Sequence, residues 1–326
     1  MGYFMSSKKL PLVYMQNSGV GNAVNPLTSL ADKEVYSVPM MLMIGWRGEP
    51  GIKDEPQHIK QGMITEELLK ILGIHYEVIN KDTTQEEIDI LIERQTKIAF
   101  KAMSPVALLI KKGTFSDYKS STSSHETQKS DDIQRMTRSD VINYYVEMEK
   151  KHIVVSTTGV TSRELLEARK RQGQTSNSDF LTVGGMGHAS QIALGIAINK
   201  PNTKTICLDG DGSLLMHMGS IAAVADSGCK NYHYVLLNNA VHDSVGGQPI
   251  GAQSIDFLNV AKSSGFKNLV RIEKRHQLPL LKDVFEGQGP SFTEIFIKPG
   301  FPSDLIRPDK TPLQNKFLFE KFLEDC

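Results

Sequence analysis

A chain of 326 residues with 40% hydrophobic side chains is long enough for two domains of ordinary size, each with its own core. Its 37 basic and 37 acidic residues cancel, so no global field recruits nucleic acid or an anionic membrane, and neither is expected as a partner. Three cysteines, Cys207, Cys229 and Cys326, are too few and too scattered for a disulfide framework or a zinc site. Cys207 sits in an apolar run and reads as core. No apolar run approaches the ~18 residues of a membrane span and no signal-peptide pattern opens the chain, so a cytoplasmic protein is expected. Met1-Gly2 with Ser6 formally matches a myristoylation pattern, but the residues from Tyr3 onward read as helix interior.

Residues 10–15, LPLVYM, read as a buried strand, followed by Gln16-Asn17-Ser18-Gly19-Val20-Gly21-Asn22 as a glycine-bearing loop into a helix. Half a dinucleotide fingerprint is present, but Val24 stands where the third glycine belongs, which leaves a nicotinamide enzyme a distant reading. A second strand, 38–44, ends in Gly45-Trp46-Arg47-Gly48-Glu49-Pro50-Gly51, which neither extends a strand nor starts a helix cleanly. Arg47 in this loop can clamp an anion bidentately or pair with Glu49 or Asp54. His58 and Gln61 come next, just before a helix expected to start at Thr65 with Leu68, Leu69 and Leu72 on one side; His58 is a candidate catalytic residue or a packing one. After a strand at 76–79, Thr83 and Glu86 form a capping-box pattern for a helix with Ile88, Leu91, Ile92 and Ala99 inward. A strand at 106–110 closes a first domain, 1–113. Residues 114–137 are polar and serine-rich without hydrophobic period and read as an interdomain linker.

The second domain, 138–326, opens with a helix from Ser139 and a strand at 152–156, after which Thr161 and Glu164 make another capping-box pattern. Gly184-Gly185-Met186-Gly187-His188 precedes a small-residue helix at 191–198. Glycines around one bulky side chain suggest backbone pressed against a ligand, with Met186 as a wedge, or close helix packing. The apolar strand 205–208 runs into Asp209-Gly210-Asp211-Gly212-Ser213, and a second apolar strand ends at Asn238-Asn239. In a parallel sheet ligands bind beyond the carboxyl ends of the strands, so Asp211 and Asn239 are expected side by side there. Gly210 and Gly212 allow close backbone approach, and the helix N-terminus after them favours an anion. An Asp carboxylate, an Asn amide oxygen and a nearby carbonyl suit Mg²⁺. The pattern argues against a calcium loop, because the twelfth position would be Ser220 where a bidentate Glu is required. The chemistry expected is a magnesium-held diphosphate. Strands at 268–272 and 292–297 complete a five-stranded sheet, and the tail ends in a helix with Phe317, Leu318, Phe319 and Phe322.

GDGS followed at this distance by NN resembles the cofactor motif of the thiamine-diphosphate-dependent decarboxylases. NNAVHDSVGGQP, YMQNSGVGNAVNPL and GWRGEPGIKDEPQHIKQG are most similar to the phosphonopyruvate decarboxylase branch, and the blocks agree in order over most of the chain. The resemblance implies an α/β protein of two parallel-sheet domains and a homo-oligomer, with the cofactor between domains of different subunits. It implies Asp211, Asn239 and the Val241 carbonyl on Mg²⁺, and Gly210, Gly212 and Ser213 around the diphosphate. Gly184, Gly185 and Met186 would hold the cofactor bent, the Gly184 backbone receiving its amino group. His242 and Asp243 would handle protons or orient the substrate, with Ser244, Gly246, Gly247 and Gln248 shaping the pocket. Asn17, Ser18 and Arg47 fall on the substrate side, with His58 beside them. The implied reaction is loss of CO₂ from 3-phosphonopyruvate, a small 2-oxo acid, to give phosphonoacetaldehyde, with the thiazolium as electron sink. Two alternatives stay open: decarboxylation of the sulfonate analogue or another 2-oxo acid, and a noncatalytic cofactor-binding paralogue. The latter is prompted by a departure from the pattern. The family carries an activating glutamate upstream of the first strand, and here nine residues precede Leu10, none acidic. An N-terminally incomplete first domain with impaired turnover is therefore expected.

Overall fold

The computed structural model describes residues 1–116, 135–148 and 151–326. The chain is α/β and divides into two compact units, residues 1–122 and 123–326, each built on its own parallel sheet.

The first unit runs α1 (Gly2–Ser7), β1 (Leu12–Gln16), α2 (Asn17–Ser29), β2 (Met40–Gly45), α3 (Pro56–Ile71), β3 (His75–Ile79), α4 (Gln85–Ala102) and β4 (Pro105–Ile110). Its four strands are ordered β1-β2-β4-β3 and all pair in parallel. MMLMIG and PVALLI are apolar throughout because they are central strands covered on both faces. Leu42, Ile44, Ala107 and Leu109 pack on one face with Val20 and Leu69; Met41, Val106 and Leu108 pack on the other with Ala99.

Local signals misplaced several boundaries. The expected loop at 16–22 is already helical, since α2 begins directly at Asn17. α3 starts nine residues ahead of the expected Thr65, at Pro56, whose fixed φ suits a first helical turn, so His58 and Gln61 lie on the helix. The capping box of α4 is Thr84 with Glu87 rather than Thr83 with Glu86; the Thr83 hydroxyl instead accepts from the Asn80 N–H at 3.1 Å.

The second unit contains α5 (Arg138–Glu147), β5 (Ile153–Ser156), α6 (Val160–Arg171), β6 (Asp179–Leu181), α7 (Ala189–Asn199), β7 (Thr205–Gly210), α8 (Asp211–Met216), α9 (Ser220–Asp226) and β8 (Tyr232–Asn238). It continues with β9 (Val241–His242), β10 (Gln248–Pro249), α10 (Phe257–Ser263), β11 (Asn268–Ile272), α11 (Leu280–Glu286), β12 (Ser291–Phe296) and α12 (Pro312–Glu324). The main sheet has six parallel strands, ordered β11-β12-β8-β7-β5-β6, not five. β6 is the unforeseen one; at three residues it is too short to carry a period. Strand order reverses between β5 and β7, and a crevice beyond the carboxyl ends at such a switch point is where ligands bind in open α/β sheets.

Of the expected linker 114–137, residues 117–134 lie outside the described residues. Its end belongs to the second unit. Met136 is buried and bridges to Ile297, and Thr137 caps α5 through a box with Asp140. Thr161 and Glu164 form no cap; α6 starts after Gly159 at φ 93°, and both side chains are buried within the helix.

Candidate active site

At the switch point of the second unit three segments meet. β7 ends in Asp209 and Gly210, and Asp211 opens α8 with both carboxylate oxygens occupied: Oδ1 accepts from the Gly212 N–H at 2.8 Å and Oδ2 from the Ala240 N–H at 2.6 Å. The second bond ties Asp211 to the turn after β8, where Asn239 lies. That turn is tight: Ala240 adopts φ 59°, and the Asn239 side-chain oxygen accepts from the Val241 N–H at 3.2 Å. Burial pushes the Asp211 carboxyl up to about 6, while the backbone N–H groups of Gly212, Ala240 and Asn239 and the Arg138 charge act against the rise. Asp209 is buried behind it, accepting from the Tyr234 hydroxyl at 2.7 Å, and its carboxyl is likewise raised by burial.

The glycine loop after β6 reaches the same place through Ser213. Its Oγ accepts from the Gly187 N–H and the Thr157 hydroxyl, each at 3.0 Å, so the serine fastens the loop to β7 and β5. Gly184, Gly185 and Gly187 take φ values of 73°, 55° and 91°, which folds the backbone back on both sides of Met186. The Gly184 N–H is held by the Thr158 hydroxyl at 3.0 Å. A methyl group on Gly212 would sit 2.7 Å from the His242 ring and 3.4 Å from the Met186 terminal carbon. Only hydrogen lets His242 and Met186 converge there. α8 is only six residues long, so its dipole is small and the local N–H groups carry the polarity that was expected of a helix terminus.

His242 and Asp243 follow Val241 on a small hairpin in which Gln248 pairs with His242 and stays exposed. The Asp243 carboxylate is fully bonded within the protein. Its Oδ2 accepts from the Asn239 side-chain N–H and the Arg138 guanidinium, each at 2.6 Å, and its Oδ1 from the Gly300 N–H at 3.0 Å. Arg138, 6% exposed, also donates to Glu164 at 3.2 Å, and Glu164 accepts from the Ser139 hydroxyl at 2.7 Å.

The first unit gathers the remaining candidates at the carboxyl ends of β1 and β2. Asn17 is buried and makes no free contact surface: it donates to the Arg47 carbonyl at 2.8 Å and the Thr65 hydroxyl at 2.9 Å, and accepts from the Arg47 N–H at 3.1 Å. Ser18 donates to Gln16 at 2.7 Å. Arg47 pairs with Asp54 through two nitrogens, at 2.8 and 2.5 Å, not with Glu49, which pairs with Lys111. Asp54 also accepts from the N–H groups of Gly48 and Glu55 and contacts His58 Nδ1 at 2.9 Å. The Arg47 guanidinium, aided by His58 and these amides, holds the Asp54 carboxyl far below the usual carboxylate range. An ionised carboxylate only accepts, so His58 donates to Asp54 from Nδ1 and its Nε2 is left outside this bond.

The sequence profile described as thiamine pyrophosphate enzyme, C-terminal TPP binding domain, matches residues 157–295, the span from Thr157 through the Asp211 and Asn239 turns to β12. The phosphonopyruvate decarboxylase of Streptomyces viridochromogenes is 32% identical over 319 residues, 94% of this chain and 78% of that protein. The chain belongs to the thiamine-diphosphate-dependent decarboxylase family. The phosphonopyruvate decarboxylase of Streptomyces hygroscopicus is 31% identical over 94% of this chain and 77% of that protein. The sulfopyruvate decarboxylase of Methanosarcina acetivorans is 26% identical over 92% and 78%.

As a member of this family, the chain has a donor set that fits a hard divalent cation. Asp211 at the start of α8, and Asn239 and Val241 in the turn after β8 that the Ala240–Asp211 bond ties to it, carry the carboxylate, amide and backbone oxygens that such a cation takes. Around them Asp211, Asp243 and Glu164 are set against one buried guanidinium, Arg138, so a cation relieves an excess of negative charge. Sequence reasoning missed Arg138, Glu164, Thr157 and the central role of Asp54. Arg138 gives no local signal, being the first residue of a capped helix, and its partner Asp243 is more than a hundred residues away. Among the described residues no helix is long and apolar enough to cross a membrane.

Proposed function

We propose that this chain decarboxylates 3-phosphonopyruvate to phosphonoacetaldehyde and CO₂ with thiamine diphosphate and Mg²⁺. The observation that carries the reading is the bond from the Ala240 N–H to Asp211, which sets the two family motifs against each other at the switch point. Asp211, Asn239 and the Val241 carbonyl would hold Mg²⁺. Gly210, Gly212 and the loop of Gly184, Gly185 and Met186 would bed the cofactor, with Ser213 keeping that loop in place. Thiamine diphosphate, when bound, supplies the electron sink for the pair left by departing CO₂.

The chain's own residues do the rest. His242, held against Gly212, delivers a proton to the carbon that has lost CO₂. Asp243 acts in positioning, with three donors on its carboxylate. In the first unit Arg47 offers its guanidinium to the anionic head group, Asn17 fixes the loop that bears it, His58 contacts the substrate through Nε2 and Ser18 lies beside them; in the second unit Gln248 pairs with His242 on the hairpin and borders the cofactor site. The protein works as a homo-oligomer.

The sulfonate analogue is a second reading, supported by the similarity to a sulfopyruvate decarboxylase. Calorimetric titration of thiamine diphosphate with and without Mg²⁺, followed by CO₂ release from both 2-oxo acids, tests the proposal. Magnesium-dependent binding with faster release from the phosphonate is expected. Faster release from the sulfonate selects the second reading, binding without release from either acid selects a noncatalytic paralogue, and no binding overturns all three.

A further inference from the structure

We infer that Arg138 and Asp243 are positioning residues that fix the side-chain amide of Asn239 with its oxygen toward the metal position. The inference rests on the cofactor reading above. A primary amide presents an oxygen on one side and two N–H donors on the other, and nothing in its shape prevents a half-turn. Presented by its nitrogen it repels a cation. The structure removes that freedom from both ends: Asn239 Nδ2 donates to Asp243 Oδ2 at 2.6 Å, and Asn239 Oδ1 accepts from the Val241 N–H at 3.2 Å.

Asp243 needs its own support, because a carboxylate on a short hairpin does not stay put unaided. The support comes from two distant elements. Arg138, at the start of α5, donates to the same Oδ2 at 2.6 Å, and the Gly300 N–H, beyond β12, donates to Oδ1 at 3.0 Å. The side chains of Arg138 and Asp243 are only 6% and 7% exposed. Glu164 on α6 and Ser139 behind it hold the other end of the guanidinium. A chain of contacts from α6 through α5 thus ends on one amide whose orientation decides whether the site accepts a cation.

The test is Mn²⁺ binding, read from the free-ion electron paramagnetic resonance signal with thiamine diphosphate at saturation; Mn²⁺ accepts the same oxygen donors as Mg²⁺. Asp243→Ala and Arg138→Met should each weaken Mn²⁺ binding by about 10- to 100-fold, the usual cost of losing a residue that orients a metal ligand. Asp243→Asn, whose side-chain oxygen can still accept from Asn239, should lose less than the alanine variant, and it decides the matter should the alanine variant not fold. Asp179→Asn is the control. It breaks the comparably buried Arg169–Asp179 pair, 3.0 Å apart, on β6 and α6. It should lower the melting temperature and leave Mn²⁺ affinity within about twofold, as expected of a site that touches no metal ligand. Wild-type affinity in Asp243→Ala, or an equal loss in Asp179→Asn, overturns the inference. Absence of Mn²⁺ binding by the unsubstituted chain overturns the cofactor reading itself.

Discussion

Gly62 lies in α3, where the general rule says that replacing a helical glycine by alanine stabilises by about 1 kcal/mol. Here the sign should reverse. A Cβ at position 62 would fall 1.7 Å from the Gly48 carbonyl oxygen and 2.0 Å from its carbon, both backbone atoms that no rotamer change can move aside. Restoring even 3.0 Å demands a displacement of at least about 1.3 Å between α3 and the loop at 46–48. Three bonds oppose that opening: Trp46 Nε1 to the Gly62 carbonyl at 3.0 Å joins the two directly, and Asn17 on α2 bridges them by donating to the Arg47 carbonyl at 2.8 Å and to Thr65 at 2.9 Å. Losing them at about 1 to 1.5 kcal/mol each, less the propensity gain of about 1 kcal/mol, leaves Gly62→Ala about 2 to 3.5 kcal/mol less stable. Trp46 is the single tryptophan of the chain and is buried, so urea unfolding followed by its fluorescence reports on the first unit. Gly21→Ala, in α2 with nothing within 4 Å of the added carbon, serves as the comparison and should hold or raise the midpoint. A midpoint for Gly62→Ala at or above wild type would refute the reasoning.

Gly212→Ala places a carbon 2.7 Å from the His242 ring and displaces it; CO₂ release should fall by about 100-fold with the far-UV spectrum intact, and a rate within threefold of wild type would remove His242 from the proposed chemistry. Asp211→Ala should abolish magnesium-dependent binding of thiamine diphosphate in calorimetry, and so should chelation of the metal from the unsubstituted chain; retention in either case places the metal elsewhere. Burial, with the charges of Lys204 and His152, lowers His233 to about 3 from 6.5. The unfolded chain therefore takes up a proton that the folded chain refuses between those values: the stability is whole above pH 6.5 and lost as pH falls toward 3, by at most about 1.4 kcal/mol per pH unit. His233→Gln should flatten that slope in urea midpoints measured from pH 7 to 4, and an unchanged slope would assign the acid sensitivity to other groups.

The parts of the site legible in the sequence were those whose cause is local. Glycine and acid at the end of an apolar run mark the carboxyl end of a parallel strand, so GDGS and NN could be placed before any fold was known. Frames and partners were not local. Thr83-Thr84 and Glu86-Glu87 offer two capping boxes, and the choice falls to Thr84 because Thr83 is taken by Asn80. Thr161 with Glu164 has the right spacing for a cap, yet Glu164 is drawn inward to Arg138, 26 residues upstream. Arg47 shows the limit most clearly, since either an anion clamp or an ion pair with Asp54 satisfied the sequence. The structure contains the ion pair, and its wider bonding makes the two readings compatible. Asp54 also accepts from Gly48, Glu55 and His58, so it is not left bare if the guanidinium swings to an arriving anion. With the Arg47 side chain 39% exposed, solvent screens the exchange of one anionic partner for another, and the same carboxylate that parks Arg47 keeps His58 oriented throughout.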